Sequence, residues 1–266
     1  GSDKSVTITD LATSPPTVTS LKDHACPVAF HLAFPLLVTG SCGNAATLYN
    51  TSRTPWTKSN NLRGSISHVY FVAFHPTLPL FVTCSRNRLL TIYDMSTVPP
   101  TVKYQLKQHN SWVHYAVFDP NHPILAVSLG DKTVRIYDMS NPFVLTQRYH
   151  PNPDTVFRHI AFHPKLLLFT TVTANNTIIL YDTSTSPWVQ LRHLSDNCSN
   201  RGHMGVCSIA FHQRLTLLVI TFGDGKVEVY NVNELLKLPP PITTVADVTS
   251  SHGIIDLTNV TSEDHA

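Results

Sequence analysis

The chain has 266 residues, of which 42% are hydrophobic and only 14% charged, so it is long enough to bury a sizeable core. Its formal net charge of +2 is too balanced to indicate nucleic-acid binding. No apolar run approaches the roughly 20 residues that span a bilayer, and no signal-peptide pattern opens the chain. Five cysteines without a CxxC pair indicate free thiols in a reducing compartment. We therefore expect an intracellular protein, cytoplasmic or nuclear.

A short phrase that ends in Tyr-Asp or Tyr-Asn recurs along the chain. The opening segment SVTITD, which ends at Asp10, fits the end of one such repeat. Five further copies end at Asn50, Asp94, Asp138, Asp182 and Asn231. They are spaced about 44 residues apart, and such a period is typical of a repeat architecture.

Each repeat contains three apolar runs followed by a fourth, more polar one. The first run precedes a turn, as in FVAFHP (71–76) and YAVFDP (115–120). The second and third runs flank a turn that carries Asp or Asn, and the fourth follows a proline, as in VPPTVKYQL (98–106). Runs of four to eight residues rich in β-branched and aromatic side chains predict strands. We expect four strands per repeat, with the first the most apolar and the fourth the most polar.

The first turn holds the same kind of residue in several repeats. The polar residues at this position are His75, Asp119, His163 and His212. Because the residue type varies while the position is kept, we interpret this site as turn-forming rather than metal-binding.

Four strands per repeat predict an all-β fold, a β-propeller of four-stranded blades. One four-stranded sheet cannot bury both of its faces, whereas stacked sheets bury them against each other. We expect a single domain over residues 1–266 with five complete repeats and a partial sixth blade shared by the termini. Its third and fourth strands would be Val6–Thr9 and Thr17–Leu21, and residues 250–260 would form a first strand. The chain is then six-bladed, a fragment of a seven-bladed ring, or completed by a partner.

At these motifs the sequence resembles the WD40-repeat family over nearly its whole length. A Gly-His pair is intact at Gly202-His203, and a histidine alone remains in LKDHACPV and LKQHNSWV. The closing Trp-Asp of the family is Tyr-Asp or Tyr-Asn in this chain. The resemblance implies a buried hydrogen-bond network within each blade, for which His109 with Asp131 and His203 with Asp224 are the best pairs. Its role would be structural.

We find no sequence signature of a catalytic site. The chain has no G-x-S-x-G, no phosphate-binding G-x-x-x-x-G-K-S/T and no H-E-x-x-H pattern. The sequence therefore predicts a protein that is not an enzyme, with no cofactor and no metal site.

The three tryptophans differ in context. Trp56 and Trp188 follow Thr-Pro or Ser-Pro at the start of fourth strands, and we expect them to pack between adjacent outer strands. Trp112 lies in the loop HNSWVHY before a first strand. In the resembled family this loop opens on the face most used for partners, so an exposed Trp112 would be a candidate anchor.

Residues at matched positions complete the candidate binding face. The residues expected at the beginning of the first strands are Phe30, Tyr70, His114, Arg158 and Cys207. The second turns contribute Arg86, Arg88 and Lys132, and with Arg158 and Arg201 these form a mildly basic rim.

These observations predict a non-catalytic protein–protein interaction platform. It would bind a peptide or protein segment across the loop face that carries Trp112, His114 and Arg158, and we expect no nucleic-acid partner. The alternative is a structural scaffold subunit whose incomplete propeller is completed by a partner's strand or blade. Fold alone does not name the partner.

Overall fold

A computed structural model describes most of the chain between residues 5 and 237. The described residues are 5–10, 15, 17–22, 27–40, 46–53, 56–62, 68–107, 109, 111–140, 143–149, 156–195 and 205–237. They form strands and one short helix, and no helix among them is long and apolar enough to cross a membrane. The chain divides into two compact units, Gly1–Arg158 and His159–Ala266, which we describe separately. That residues 1–266 form a single domain stays a prediction.

The first unit opens with a two-stranded antiparallel hairpin. Its strands are β1 (Ser5–Asp10) and β2 (Thr17–Lys22). They lie where the sequence predicted the third and fourth strands of a partial blade. The predicted first strand at residues 250–260 lies outside the described residues.

Three four-stranded antiparallel sheets, blades one to three, follow in the first unit. Blade one contains β3 (Val28–Phe30), β4 (Leu36–Gly40), β5 (Ala46–Asn50) and β6 (Thr57–Leu62). Blade two contains β7 (Val69–Phe74), β8 (Leu80–Ser85), β9 (Leu90–Asp94) and β10 (Thr101–Leu106). Blade three contains β11 (Val113–Phe118), β12 (Ile124–Leu129), β13 (Val134–Asp138) and β14 (Val144–Tyr149). Their strand order follows the chain, as predicted.

Blade four begins with β15 (Phe157–Phe162), which runs across the boundary between the units, and continues with β16 (Leu168–Thr173), β17 (Thr177–Asp182) and β18 (Val189–Ser195). Blade five contains β19 (Val206–Phe211), β20 (Leu217–Phe222) and β21 (Val227–Asn231). Helix α1 (Val232–Lys237) follows directly. Within the described residues, blade five therefore shows three strands.

The second strand of a blade is the most buried, although the sequence predicted that the first strand would be the most apolar. Every residue of β8 and β16 is buried, whereas β7 and β15 each expose part of their length. A second strand has a hydrogen-bonded neighbour on either side, while a first strand lies at a sheet edge. The fourth strands, which the sequence predicted to be the most polar, are the most exposed. Every described residue of β10 and β14 is exposed or partly buried.

The hydrophobic core lies between consecutive blades. In the first unit, Val38 and Leu48 of blade one share a cluster with Val72 and Phe81 of blade two. Blades two and three share a second cluster, which includes the free thiol Cys84. In the second unit, blades four and five pack together with the helix residues Val232 and Leu235. Because each fully buried side chain contributes about 1.5–3 kcal/mol, stacking is the main source of stability.

The histidine of the first turn stabilises that turn through one ring nitrogen. In blade two, Nδ1 of His75 accepts hydrogen bonds from the backbone N–H groups of Thr77 (3.2 Å) and Leu78 (3.0 Å). The same pair of bonds occurs at His31, His163 and His212. In blade three, Oδ1 of Asp119 accepts them instead. The turn-forming interpretation of this position is confirmed.

The same imidazoles connect one blade to the next. The ring centroid of His31 lies 5.1 Å from that of Phe74, and His75 lies 5.1 Å from Phe118. In the second unit His163 lies 4.9 Å from Phe211. In each case the partner is the last residue of the next blade's first strand. Burial lowers the pKa of all three histidines, so they are neutral near pH 7 and Nδ1 remains an acceptor.

The closing Asp or Asn of each repeat forms a second recurring turn. Its side-chain oxygen accepts the backbone N–H two residues later, at 2.9 Å for Asp94 and 2.7 Å for Asp138. The same bond occurs at Asn50, Asp182 and Asn231. Asp and Asn recur here because both present an oxygen at the distance that this turn requires.

A buried arginine corrects the predicted pairing of His109 with Asp131. Nη2 of Arg135 donates to Oδ2 of Asp131 at 3.0 Å, and Nη1 lies 3.4 Å from Nδ1 of His109. Arg135 thus lies between the two predicted partners, and Oδ1 of Asp131 accepts from the Thr133 hydroxyl at 2.6 Å. The direct contact that the sequence predicted between His109 and Asp131 is therefore a bridged one. The other predicted pair includes His203, which lies outside the described residues.

Replacing His163 by leucine tests the first-turn contact. We expect the free energy of unfolding to fall by about 2 kcal/mol, because two partly buried N–H groups lose their acceptor and the contact with Phe211 changes. His212→Leu is the matched control, since His212 makes the same bonds on an exposed turn where water can replace them. Urea denaturation measures both variants. An equal fall in the free energy of unfolding of the two variants would contradict the expectation that the contact stabilises more when it is buried.

The stability of the protein should fall in mild acid because of His109. Burial, aided by the charge of Arg135, lowers the pKa of His109 from 6.5 to about 4, and Asp131 opposes the shift. His109 is therefore protonated below about pH 6.5 in the unfolded chain, but only below about pH 4 in the folded chain. This single group removes about 3 kcal/mol of stability across that interval and nothing above it. Urea denaturation of the protein and of His109→Gln at a series of pH values should give a shallower slope for the variant; parallel curves would disprove the assignment.

Candidate protein-interaction surface

A β-bulge stands at the beginning of the first strands in blades two and three. Val69 lies opposite Ser85 and Phe71 opposite Cys84, so Tyr70 is the extra residue of the bulge. The same irregularity makes His114 the extra residue of β11 and Cys207 that of β19. A bulge interrupts the alternation of side chains and redirects the extra one. The sequence analysis grouped these positions by register but did not predict the bulge.

Trp112 directly precedes β11 and is held there by its backbone. Its carbonyl accepts a hydrogen bond from the N–H of Gly130 at 2.9 Å. The matching bonds in other blades join Arg86 to His68 and Gly223 to Gly205, so this is a regular feature of the fold. The indole side chain is 47% exposed. A large aromatic side chain is therefore presented to solvent from a fixed backbone position.

Arg86 of blade two lies over this tryptophan of blade three. Its guanidinium carbon is 5.9 Å from the centroid of the Trp112 ring, within the range of a cation–π contact. The corresponding residues of the other described blades are Gly130, Ala174 and Gly223. Only blade two places a long side chain at this point among the described residues, and that side chain contacts the exposed tryptophan.

Arg88 and Lys132 occupy the tips of the second turns with left-handed backbone. Their φ angles are 66° and 65°, respectively. At the same turn position, Asn176 has φ 65° and Gly225 has φ 86°. Glycine and asparagine tolerate this conformation, whereas a long side chain carries a strain of about 1 kcal/mol. Blade two therefore accepts local strain at an exposed arginine, and blade three accepts it at a partly buried lysine.

His114 lies beside the backbone of Gly130. A Cβ atom added to Gly130 would stand 3.2 Å from Nε2 of His114 and 2.6 Å from Oγ of Ser111. Glycine is thus needed for this close approach. Burial lowers the pKa of His114, so the half-buried imidazole is neutral near pH 7. It supplies a polar, uncharged surface next to the Trp112 backbone.

The arginines of this region form no salt bridge among the residues that the structure describes. Arg86, Arg88 and Arg158 are exposed, and none forms a salt bridge with a described residue. Asp131 is engaged by the buried Arg135 instead. The second turn of blade two therefore exposes two arginines that pair with no carboxylate of a described residue.

The structure brings some of the predicted residues together. Arg86 contacts Trp112, and Gly130 lies against both His114 and the Trp112 carbonyl. Tyr70 is 40% exposed on its bulge, Lys132 is partly buried and Arg158 is exposed as the second residue of β15. Arg201 lies outside the described residues. That these residues bind a partner stays a prediction.

Phe30 is not at the beginning of a first strand, contrary to prediction. It ends β3 and corresponds to Phe74, because VAFH at residues 28–31 aligns with VAFH at residues 72–75. The hydrogen bonds of His31, which match those of His75, establish the correct register.

The prediction that Trp56 and Trp188 pack between outer strands is wrong. Trp188 packs within its own blade, with its ring centroid 5.8 Å from Phe162 and 5.1 Å from Phe169. Trp56 likewise lies 6.3 Å from Phe30 of its own blade. Each tryptophan precedes its fourth strand and turns inward across the sheet, where it gains aromatic contacts that a polar outer strand does not offer.

Two family models match parts of the chain. The model described as WD domain, G-beta repeat, matches residues 56–94 and 195–231. The model described as Lactonase, 7-bladed beta-propeller, matches residues 93–198. The predicted resemblance to WD40-repeat proteins is confirmed over the first two stretches, and the all-β propeller fold class is confirmed. No curated protein sequence matches the chain.

Solved structures show the same fold. A chain of the "Crystal Structure of Mitotic Checkpoint Complex" superposes with a TM-score of 0.72 at 15% sequence identity, over 86% of this chain and 71% of that one. In all, 1270 chains match, so this fold is too widely shared to identify a partner. Among the described residues, no group of three or more His, Cys, Asp or Glu side chains could hold a metal ion.

Replacing Arg88 or Lys132 by asparagine should stabilise the protein. Each change relieves the left-handed strain of a long side chain, and we expect a gain of about 0.5 kcal/mol per site. Urea denaturation measures the change. Arg53→Asn is the control, because Arg53 is exposed and its φ is not positive. A gain at Arg53 as large as at Arg88 would show that strain is not the cause.

Proposed function

We propose that this chain is a non-catalytic interaction platform that binds a peptide or protein segment. The binding surface comprises Trp112, His114, Tyr70, Arg86, Arg88, Lys132 and Arg158. The WD40-like propeller fold supports this proposal, because that fold is typical of protein-interaction scaffolds.

The observation that carries the proposal is the exposed Trp112 beneath Arg86. Tryptophan and arginine are the side chains that most often dominate binding energy at interfaces. Apolar surface that stays in contact with water is unfavourable in proportion to its area. Trp112 is 47% exposed, so it offers apolar surface that a partner can bury. The two residues come from different blades, so the fold itself assembles this pair.

Backbone hydrogen bonds make the surface rigid before any partner arrives. The N–H of Gly130 holds the Trp112 carbonyl at 2.9 Å, and the carbonyl of His68 holds the Arg86 N–H at 2.9 Å. A pre-ordered surface loses little conformational entropy on binding. Binding energy from the aromatic and cationic side chains is then available for affinity and selectivity.

The absence of catalysis belongs to this proposal as a prediction. The match to a lactonase propeller model covers Trp112 and His114, and their surroundings include the hydroxyl of Ser111. The sequence contains none of the nucleophile motifs sought above, and a binding role uses the exposed aromatic and cationic groups directly.

Peptide selection tests the proposal. A random peptide library displayed on phage is panned on the full chain, and synthetic copies of the selected peptides are measured by fluorescence anisotropy. The triple variant Trp112→Ala, His114→Ala, Arg158→Ala should bind them at least about tenfold more weakly, since it removes the anchor and two further residues of the proposed surface.

The matched control removes two exposed side chains elsewhere, with Arg53→Ala and Leu78→Ala, and should bind as the unaltered chain does. Circular dichroism confirms that each variant is folded. Peptides that keep full affinity for the triple variant would overturn the proposal and favour the alternative, in which a partner strand completes a blade. The outer edge of β21, which pairs with no fourth strand in the described residues, is the place for such a strand.

A further inference from the structure

We propose that the segment bound on this surface is acidic, with Asp or Glu side chains that contact Arg86, Arg88 and Lys132 while an apolar neighbour packs on Trp112. This inference rests on the proposed function and specifies its partner. It is carried by the charge, the backbone conformation and the stacking of these residues.

Arg86 and Arg88 are both exposed on the second turn of blade two. Arg86 and Arg88 form no salt bridge with any described residue. Some other cations of the described chain do have acidic partners, such as Lys103, which lies 3.6 Å from Asp94, and Lys226, which contacts Glu228. Exposed cations without a carboxylate favour a partner of opposite charge and raise its rate of association.

The backbone shows that cations are retained on these tips at a cost in stability. Arg88 and Lys132 have positive φ, at a position where the same chain uses Asn176 and Gly225 in other blades. Strain of this kind persists where the side chain serves another purpose. The two tips belong to consecutive blades, so a single extended segment can contact both.

The stacking of Arg86 prepares it for a carboxylate. A guanidinium that lies over an indole keeps its N–H edge directed outward and can bind a carboxylate with two parallel hydrogen bonds. The Trp112 ring, whose centroid is 5.9 Å from the guanidinium carbon, supplies a cation–π contact on one side of the arginine. An acidic residue followed or preceded by an apolar residue would satisfy both members of the pair.

Nucleic acid fits these observations less well than a protein segment. Phosphate backbones are bound by many cations along an extended stripe, whereas the described tips of blades two and three offer Arg86, Arg88 and Lys132, and the chain as a whole carries a net charge of only +2. An oligonucleotide is therefore kept as a competing probe in the test.

The test uses the selected peptides and their amide analogues. We expect the selected sequences to be enriched in Asp and Glu relative to the unselected library. Converting those residues to Asn and Gln should weaken binding about tenfold, as should Arg86→Gln in the protein. With both changes present, the loss of affinity should be much smaller than the product of the two separate fold-losses, because each change removes the same contact. Raising salt from about 50 to about 200 mM should weaken binding of the acidic peptides.

Two controls separate charge from folding. Arg53→Gln removes an exposed arginine elsewhere in the first unit and should leave peptide affinity unchanged. Arg88→Asn should weaken acidic peptides although it makes the protein more stable, an opposition that a purely structural role would not produce.

The possible results distinguish this inference from the proposed function. Selected peptides that depend on Trp112 but are neutral or basic would overturn the acidic partner and leave the interaction platform standing. The absence of any Trp112-dependent peptide would overturn both. Tighter binding of single-stranded oligothymidylate than of the acidic peptides, with the same dependence on Arg86, would replace the protein segment by nucleic acid.

Discussion

The histidine of the first turn joins one blade to the next in blades one, two and four. Its Nδ1 accepts two backbone N–H groups of its own turn, and its ring packs on the aromatic residue that ends the next blade's first strand. One side chain therefore determines both the shape of a turn and the position of a neighbouring sheet. Because a protonated imidazole can no longer accept these bonds, the arrangement requires the neutral form, which burial maintains.

The blades keep the same backbone while the polar interactions inside them vary. In blade three a buried arginine bridges His109 and Asp131. In blade five the buried Glu228 accepts the Tyr230 hydroxyl at 2.6 Å and contacts Lys226. Both Arg135 and Glu228 lie two residues before the closing tyrosine. A buried charge is tolerated when a neighbour supplies the opposite charge and the hydrogen bonds, so each blade satisfies this position in its own way.

The candidate surface lies at the end of the sheets where the backbone is irregular, whereas the turns at the opposite end are regular. At one end, histidine or aspartate and the closing Asp or Asn hold the turns with regular hydrogen bonds. At the other, the bulges at Tyr70 and His114 and the left-handed tips at Arg88 and Lys132 interrupt regular structure. Irregularity of this kind lowers stability, and it lies where side chains of recognition type, Trp112 and Arg86, are exposed.

The sequence by itself determined the repeat, the strands and the role of the first-turn histidines, because these follow from local spacing and from the hydrogen bonds that short turns require. It also singled out Trp112 and the second-turn cations by their register. Only the tertiary structure showed that Arg86 lies over Trp112, that Arg135 separates His109 from Asp131, and that Trp188 turns inward onto Phe162 and Phe169. These contacts join residues on different strands or blades, and their geometry depends on how sheets stack and where bulges redirect side chains, which spacing along one chain does not encode.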